Sequence, residues 1–325
     1  ACNKDWFINT LIVSSFATES FAKKHPSYAQ KVCNGLVQVV IHASYGGGTD
    51  TTARMMSIRT RRTLNTDIQV VGKRGGSGAK AQNYTLTRPK DGCTIMALTE
   101  SHLYTMARGK SNMKIDDLVG VARAMEEPNF IVVNAKNKEL STIKKFIKRA
   151  QKKPIVTGIA SIGGTEHIGM YSYSQAAGVP FKAVSFGSGA QSLQALVSGK
   201  IEATLLNPSE AVAMIEAKKI KPIILLHDKK MSDFKKVPTS YEMGHNVKVV
   251  TTRGYAVLKG TPQATIDEIS KGLVKAMKHE TFGTYLKGAG LDPKTSPAGT
   301  EVWDKQLKEN YKKAATALKG LGLTK

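Results

Sequence analysis

No apolar run in the 325-residue chain approaches the roughly 20 residues that a membrane-spanning helix needs. Cysteine is scarce, and Cys2, Cys33 and Cys93 form no C-x-x-C pair, which argues against a thiolate metal site or a dithiol redox centre. In an oxidising compartment either Cys2 with Cys33 or Cys33 with Cys93 is able to pair, and the odd count leaves one over. Histidines spaced as H-x-x-x-H are missing, as is a G-x-S-x-G elbow, so zinc and serine-nucleophile chemistry lack their usual carriers. Acidic residues are the minority: 25 Asp and Glu stand against 48 Lys and Arg, a net charge of +23. That excess admits a nucleic acid, an anionic surface or an acidic small molecule. The lysines are dispersed, however, with Lys144, Lys145, Lys148, Arg149, Lys152 and Lys153 along one helix, and no basic run is interleaved with aromatics. Solvated helix faces account for them, and no nucleic-acid partner is expected.

What is present centres on Val39 to Thr52, V-V-I-H-A-S-Y-G-G-G-T-D-T-T. A short apolar run fit for a buried strand is broken by three glycines, and Thr49 and Asp50 supply helix N-cap chemistry. Ala53, Met56, Thr60 and Leu64 then recur at helical spacing. Strand, glycine turn and helix together make an anion cradle, because glycines admit close approach and the first free N–H groups of the helix point at the ligand. No Gly-Lys-Ser/Thr follows Gly46 to Gly48, and the contiguous glycines are not the dinucleotide G-x-G-x-x-G.

Strands and helices alternate from Gln38 onward. Ile68 to Val71 leads into a second glycine turn, Gly72 to Gly78, and a helix from Ala79 to Leu86. The strand Thr94 to Leu98 stops at Thr99-Glu100-Ser101-His102, where the carboxyl end of a strand reaches a cleft. Val119 to Ala124 and Phe130 to Val133 are extended, and Ser141-Thr142 caps a basic amphipathic helix. Pro154 to Ile159 then feeds Ser161-Ile162-Gly163-Gly164-Thr165-Glu166-His167, which repeats the opening pattern and leads to a helix ended by Gly178. Phe181 to Ser185, the turn Phe186 to Gly189, a helix to Val197 and a strand Ile201 to Leu206 closing on Asn207 complete a second α/β unit. Three helices, from Gln263, Phe282 and Glu301, finish the chain. The reading is α/β with two domains: residues 35–133 plus 250–325, and 134–249, whose glycine turns share a cleft.

Residues 1–34 are set apart as an N-terminal extension. Lys4, the moderately apolar Trp6 to Ala17, and Ser20-Phe21-Ala22 before Lys23 have the layout of an export signal. A lipoprotein-like start at Cys2 and an ordered extra helix are the alternatives.

Candidate chemistry is thin. His42, His102, His167, His227 and His245 are isolated, with His102 and His167 flanking cleft turns, while Asp116-Asp117 and Glu126-Glu127 stand in loop-like contexts where solvated charge is expected. No catalytic or metal-ligating set and no cofactor is expected. Backbone N–H groups with small hydroxyl and amide side chains remain: Gly46 to Asp50, Ser101, Ser161 to Thr165, Gly187 to Gly189 and Asn207. These suit a bound carboxylate. An enzyme acting on a carboxylated or phosphorylated metabolite is the rival, since anion cradles serve catalysis equally.

Tyr45 to Arg54 (Y-G-G-G-T-D-T-T-A-R), Arg74 to Gly78, Pro89 to Ile95, Gly163 to His167, Ala177 to Gly189, Ser198 to Asn207 and Val237 to Gly244 resemble, in order, the substrate-binding proteins of tripartite tricarboxylate transporters, the TctC or Bug-type family. The resemblance covers about residues 36–323. It implies a two-domain periplasmic binding protein fold of the type II-like, Venus-flytrap kind. It further implies a monomeric, exported receptor that closes on a small organic acid, a di- or tricarboxylate or relative, and delivers it to membrane permease subunits. The ligand residues so implied are Tyr45, Gly46, Gly47, Gly48, Thr49, Asp50, Ser101, Ser161, Gly163, Gly164, Thr165, His167, Phe186, Gly187 and Asn207. Hinges are expected near Val132 to Ala135 and Val250 to Arg253. Where the family often has Pro-Phe-Ala-Pro, this chain has His42-Ala43-Ser44-Tyr45, which is expected to place a phenol near the ligand. Gly72-Lys73 replaces an arginine-asparagine pair.

Overall fold

The structure, a computed structural model, describes residues 27–324. The readings of Lys4, Trp6 to Ala17, Ser20 to Ala22 and Cys2 lie outside the described residues. The chain opens with α1 (Tyr28–Val32), β1 (Leu36–Ile41), α2 (Gly48–Ser57), α3 (Thr60–Thr63), β2 (Asp67–Gly72), α4 (Ala79–Leu86), β3 (Thr94–Leu98), α5 (Glu100–Ala107) and β4 (Leu118–Pro128). Next come β5 (Phe130–Asn134), α6 (Ile143–Ala150), β6 (Ile155–Ile159), α7 (Thr165–Ala177), β7 (Phe181–Ser185), α8 (Gly189–Val197), β8 (Ala203–Leu206), α9 (Pro208–Glu216) and β9 (Ile220–Leu225). It closes with β10 (Val250–Leu258), α10 (Gln263–Met277), α11 (Glu280–Gly288), β11 (Ala298–Gly299) and α12 (Thr300–Gly320).

Two sheets result, ordered β11-β4-β10-β3-β1-β2 and β7-β6-β8-β5-β9. Within each, a strand, a helix on the sheet face and the next strand pair in parallel, as right-handed crossovers require. Each sheet also receives one antiparallel strand that follows directly from the other lobe: β10 in the first sheet, β5 in the second. The chain therefore crosses twice, at Pro128 to Phe130 and at Val249 to Val250. Asn129 ties the crossings together, its N–H donating to the Val249 carbonyl at 3.1 Å and its Nδ2 to Thr251 Oγ1 at 3.1 Å.

The first crossing precedes the segment expected to hinge. Phe130 to Val133 are fully buried and already form β5, because four consecutive apolar residues are wanted in a sheet covered on both faces. At the second crossing, Thr251 to Arg253 are already paired with β4. Residues 28–34 also differ from expectation. Ser27 caps α1, Tyr28 and Ala29 pack in the core of the first lobe, and Cys33 is bonded to Cys93 with Cα atoms 5.4 Å apart. Of the two pairings left open by sequence, this is the one formed. The helix expected to run to Leu64 breaks after Ser57 into α2 and α3.

Apolar side chains cover both faces of each sheet. Among them Trp303 of α12 is buried against β10, its Nε1 donating to the Tyr255 carbonyl at 3.0 Å. Gly254 and Gly120 leave the room this indole occupies, since a Cβ on either would overlap it. No helix among the described residues is long and apolar enough to cross a membrane.

Candidate functional site

In both sheets the turns after β1 and β6 leave the carboxyl ends of central strands beside a reversal of strand order, where open α/β sheets place ligands. The two lobes meet there through direct hydrogen bonds. Ser101 Oγ of α5 lies 3.0 Å from Thr165 Oγ1 and accepts the Thr165 N–H at 3.0 Å. The Ser44 N–H donates to the Gly187 carbonyl at 3.1 Å, Arg108 Nη2 to the Gly163 carbonyl at 3.3 Å, and Ser77 Oγ to the Ile162 carbonyl. At Gly164 a Cβ would meet Ser161 Oγ at 2.5 Å and Ser101 Oγ of the other lobe at 3.0 Å, so a larger residue would crowd this contact.

A cavity of about 730 Å³ opens above these contacts. Its first-lobe wall is His42 to Ser44 and the second glycine turn, Arg74 to Gly78; its second-lobe wall is Ala160 to Ile162, Ser185 to Gly187 and Gln191. Arg74 enters because Gly75 to Gly78 all take positive φ and turn the chain sharply after β2. Its Nη1 donates to Ser44 Oγ at 3.1 Å, and Ser44 Oγ reaches Gln191 Oε1 across the cleft at 3.2 Å.

Beneath lies a smaller space of about 30 Å³, room for a single water, bordered by Thr49, Ser101, Thr165, Glu166, Glu210 and Arg253 among others. Arg253, 6% exposed, is the hub of this floor. Its Nη2 donates to Asn207 Oδ1 at 2.9 Å, its Nη1 to Thr49 Oγ1 at 3.3 Å, and its Nε lies 3.5 Å from Glu127 Oε2. Burial works against its charge, but the Glu127 and Glu210 carboxylates more than offset that and hold it above its ordinary value. Glu127 is fully buried, so burial pushes its carboxyl up and Arg253 draws it partly back; Ser209 donates to it through N–H and Oγ, each at 2.9 Å. The expected solvated pair Glu126-Glu127 is instead part of β4, with Glu127 facing inward.

Glu210 Oε1 accepts the Gly48 N–H at 3.1 Å, which places an internal carboxylate on the amino end of α2. Glu166 Oε2 is shut off from solvent without a hydrogen-bond partner among the described residues, and burial, reinforced by Glu210, pushes the group up to about 7. Burial likewise pushes Glu100 up to about 7, although it accepts the Thr252 N–H at 2.7 Å. Burial and Arg253 lower His42 to about 4, and burial lowers His102, whose ring packs edge-on to His42 at 4.1 Å between centroids.

These shifts set a pH dependence. Between about 4.5 and about 7 the folded chain retains protons on Glu166 and Glu100 that the unfolded chain has released, so both make stability fall as pH rises. His42, neutral in the fold, acts in the opposite sense between about 4 and its unperturbed 6.5. The isosteric Glu166→Gln isolates one part: its melting temperature relative to wild type is expected to climb from about pH 5 to about pH 8. A difference constant across that range would mean that Glu166 is ionised throughout.

The residues marked by sequence divide into three groups. Gly48, Thr49, Ser101 and Thr165 border the floor, while Ser161, Phe186 and Gly187 line the cavity. Gly47, Gly163 and Gly164 shape the turns; Gly47 is the N-cap of α2, a place expected for Thr49 or Asp50. The remainder face elsewhere. Tyr45 is exposed, and its phenol oxygen accepts the Gly72 N–H at 3.0 Å at the end of β2. Asp50 ties off its own turn by accepting the Gly46 N–H at 2.8 Å and Arg54 Nε at 2.9 Å. His167 Nδ1 accepts the Gly163 N–H at 2.8 Å, and Asn207 caps α9 while bridging Arg253 to the Pro128 carbonyl. His102 is wholly buried and its Nδ1 accepts the Thr99 N–H at 3.1 Å, a capping role.

Arg74, Ser44, Ser77, Gln191, Glu166, Glu210 and Arg253 were absent from that set. A lone arginine within the apolar β10 was the available signal for Arg253, and a cation opening a glycine turn after β2 was the signal for Arg74.

The family model described as "Tripartite tricarboxylate transporter family receptor" matches residues 52–323. A UPF0065 protein of Cupriavidus necator is 23% identical over 292 residues, which are 89% of this chain and 88% of that protein. MatC of Rhodopseudomonas palustris, solved with bound malate, superposes with a TM-score of 0.80 at 21% identity, covering 87% of this chain and 98% of its own. Rpa4515 of R. palustris, solved with adipate, gives 0.80 at 20% identity, covering 88% and 97%. With the strand orders described above, these fix the fold as the two-lobed one of periplasmic binding proteins. The chain belongs to the receptor family of the tripartite tricarboxylate transporters, a family of substrate-binding proteins rather than enzymes.

Proposed function

We propose that this receptor captures a small organic carboxylate outside the cytoplasm, in the cavity between its lobes, and presents it to membrane permease subunits. The observation that carries the reading is the 730 Å³ cavity, a size suited to a small ligand, walled by hydroxyls, an amide, glycine backbone and one guanidinium from both lobes. The malate and adipate held by proteins of the same fold are ligands of that chemical kind. The disulfide fits an oxidising compartment. Ser161, Phe186 and Gly187 are the ligand contacts we assign among the residues marked by sequence.

Opening would pivot on the two crossings at Asn129 and Val249, breaking Ser101–Thr165 and Ser44–Gly187 while both sheets stay rigid. The net charge of +23 aids encounter with anions, but screening over about 8 Å at physiological salt leaves retention to the cavity itself. A thermal-shift screen against mono-, di- and tricarboxylates, with nucleotides as controls, tests the reading. A ligand that binds only the folded chain raises the melting temperature with the logarithm of its excess over Kd. A rise with a set of carboxylates alone is expected; a rise with nucleotides alone would replace this reading with a phosphate cradle.

A further inference from the structure

We propose that Arg74 fixes the acidic group of the ligand and that the ligand is a singly charged acid whose other end is neutral. This rests on the receptor reading and narrows it. The helix termini that sequence alone marks as anion cradles are already engaged within the chain. Gly48 N–H is held by Glu210, Gly46 N–H by Asp50, Thr165 N–H by Ser101 and Gly163 N–H by His167. A ligand carboxylate aimed at them would have to displace these partners, two of which are themselves carboxylates.

The charge below the cavity points the same way. Glu127 and Glu210 outnumber the single Arg253, so the floor offers a second anion no free cation and favours a neutral hydrogen-bonding group, which Glu166 Oε2 is able to meet, having no partner among the described residues. Arg74 is the one lysine or arginine among the described lining residues of the cavity and makes no ion pair with the described residues. Its bond to Ser44, continued to Gln191 across the cleft, holds the guanidinium at the junction of the lobes. A planar fork held in this way suits two parallel bonds to one carboxylate. Ligand and closure are thereby linked, because Ser44 joins Arg74 to the second lobe.

The test is titration calorimetry of purified wild type, Arg74→Gln and Arg74→Lys with the tightest acid found by screening, and with mono- and dicarboxylates of matched length. Wild type is expected to bind the monocarboxylate at least about tenfold more tightly than its dicarboxylate counterpart. Arg74→Gln is expected to weaken it by about 10- to 100-fold, the range for a hydrogen-bonded charge, with Arg74→Lys in between. Melting temperatures of the unliganded variants report whether they fold; because Arg74 is exposed, these are expected to match wild type. If wild type binds carboxylates but Arg74→Gln binds within about twofold of it, or if dicarboxylates bind best, this inference fails and the receptor reading stands. If wild type binds no acid, both fail.

Discussion

Arg253→Ala is expected to lower folding stability by about 3–5 kcal/mol, the range for removing one member of a buried ion pair. The guanidinium joins Glu127 of β4, Thr49 of α2 and Asn207 of the second lobe, and Glu210 adds charge nearby. Truncation leaves the fully buried Glu127 carboxylate with only its Ser209 donors, and it opens a void at the junction of the lobes. The expected readout is a lower urea midpoint with an unchanged slope. Adding Glu127→Gln to Arg253→Met should recover much of the loss, because the stranded charge rather than the missing contact is the larger part. A loss below about 1 kcal/mol would mean that water or a rearranged side chain already solvates Glu127.

The second large effect belongs to the disulfide. Cys33 and Cys93 are 60 residues apart in sequence, and closing a loop of that length is worth about 4 kcal/mol in the unfolded-chain model. The bond also fastens α1, with Tyr28 and Ala29 beneath it, to the start of β3. The double variant Cys33→Ser/Cys93→Ser should melt well below wild type and ignore reductant, whereas wild type should fall to meet it when reduced. Equal melting temperatures of oxidised wild type and the double variant would show that α1 and β3 are held without the bond.

Local signals made most of the framework legible. The apolar runs of β3, β6 and β7 are bounded by Gly, Pro and Asp-Gly, and their limits lie within a residue of those expected, whereas β1 starts at Leu36, three residues before the apolar run read from Val39. The helices α5 and α9 are not legible in the sequence, because their first turns, Thr99 to His102 and Asn207 to Glu210, have the polar composition of strand-end loops. The site was legible as turns but not as chemistry. Hydroxyls and glycines near the cleft could be marked from spacing, since turns sit at strand ends. Some of the groups that satisfy the site lie far away in sequence, Glu210 on Gly48 at 162 residues and Asn207 on Arg253 at 46, and nothing local reports such partners. Tyr45 shows the same limit: adjacency in sequence to the glycines does not report that its phenol is bonded to the Gly72 N–H.

The central claim is that an organic carboxylate is held between the lobes, and a cavity-filling variant tests it most directly. Ser185 lines the cavity at the exposed end of β7, so Ser185→Trp puts an indole into the space without disturbing either core. Calorimetric titration of wild type and this variant with the acid that most raises the melting temperature is the measurement. The account predicts one site per wild-type chain, and at least about 100-fold weaker binding by a variant that melts within a few degrees of wild type. Undiminished binding by a well-folded Ser185→Trp would place the acid elsewhere and contradict the account.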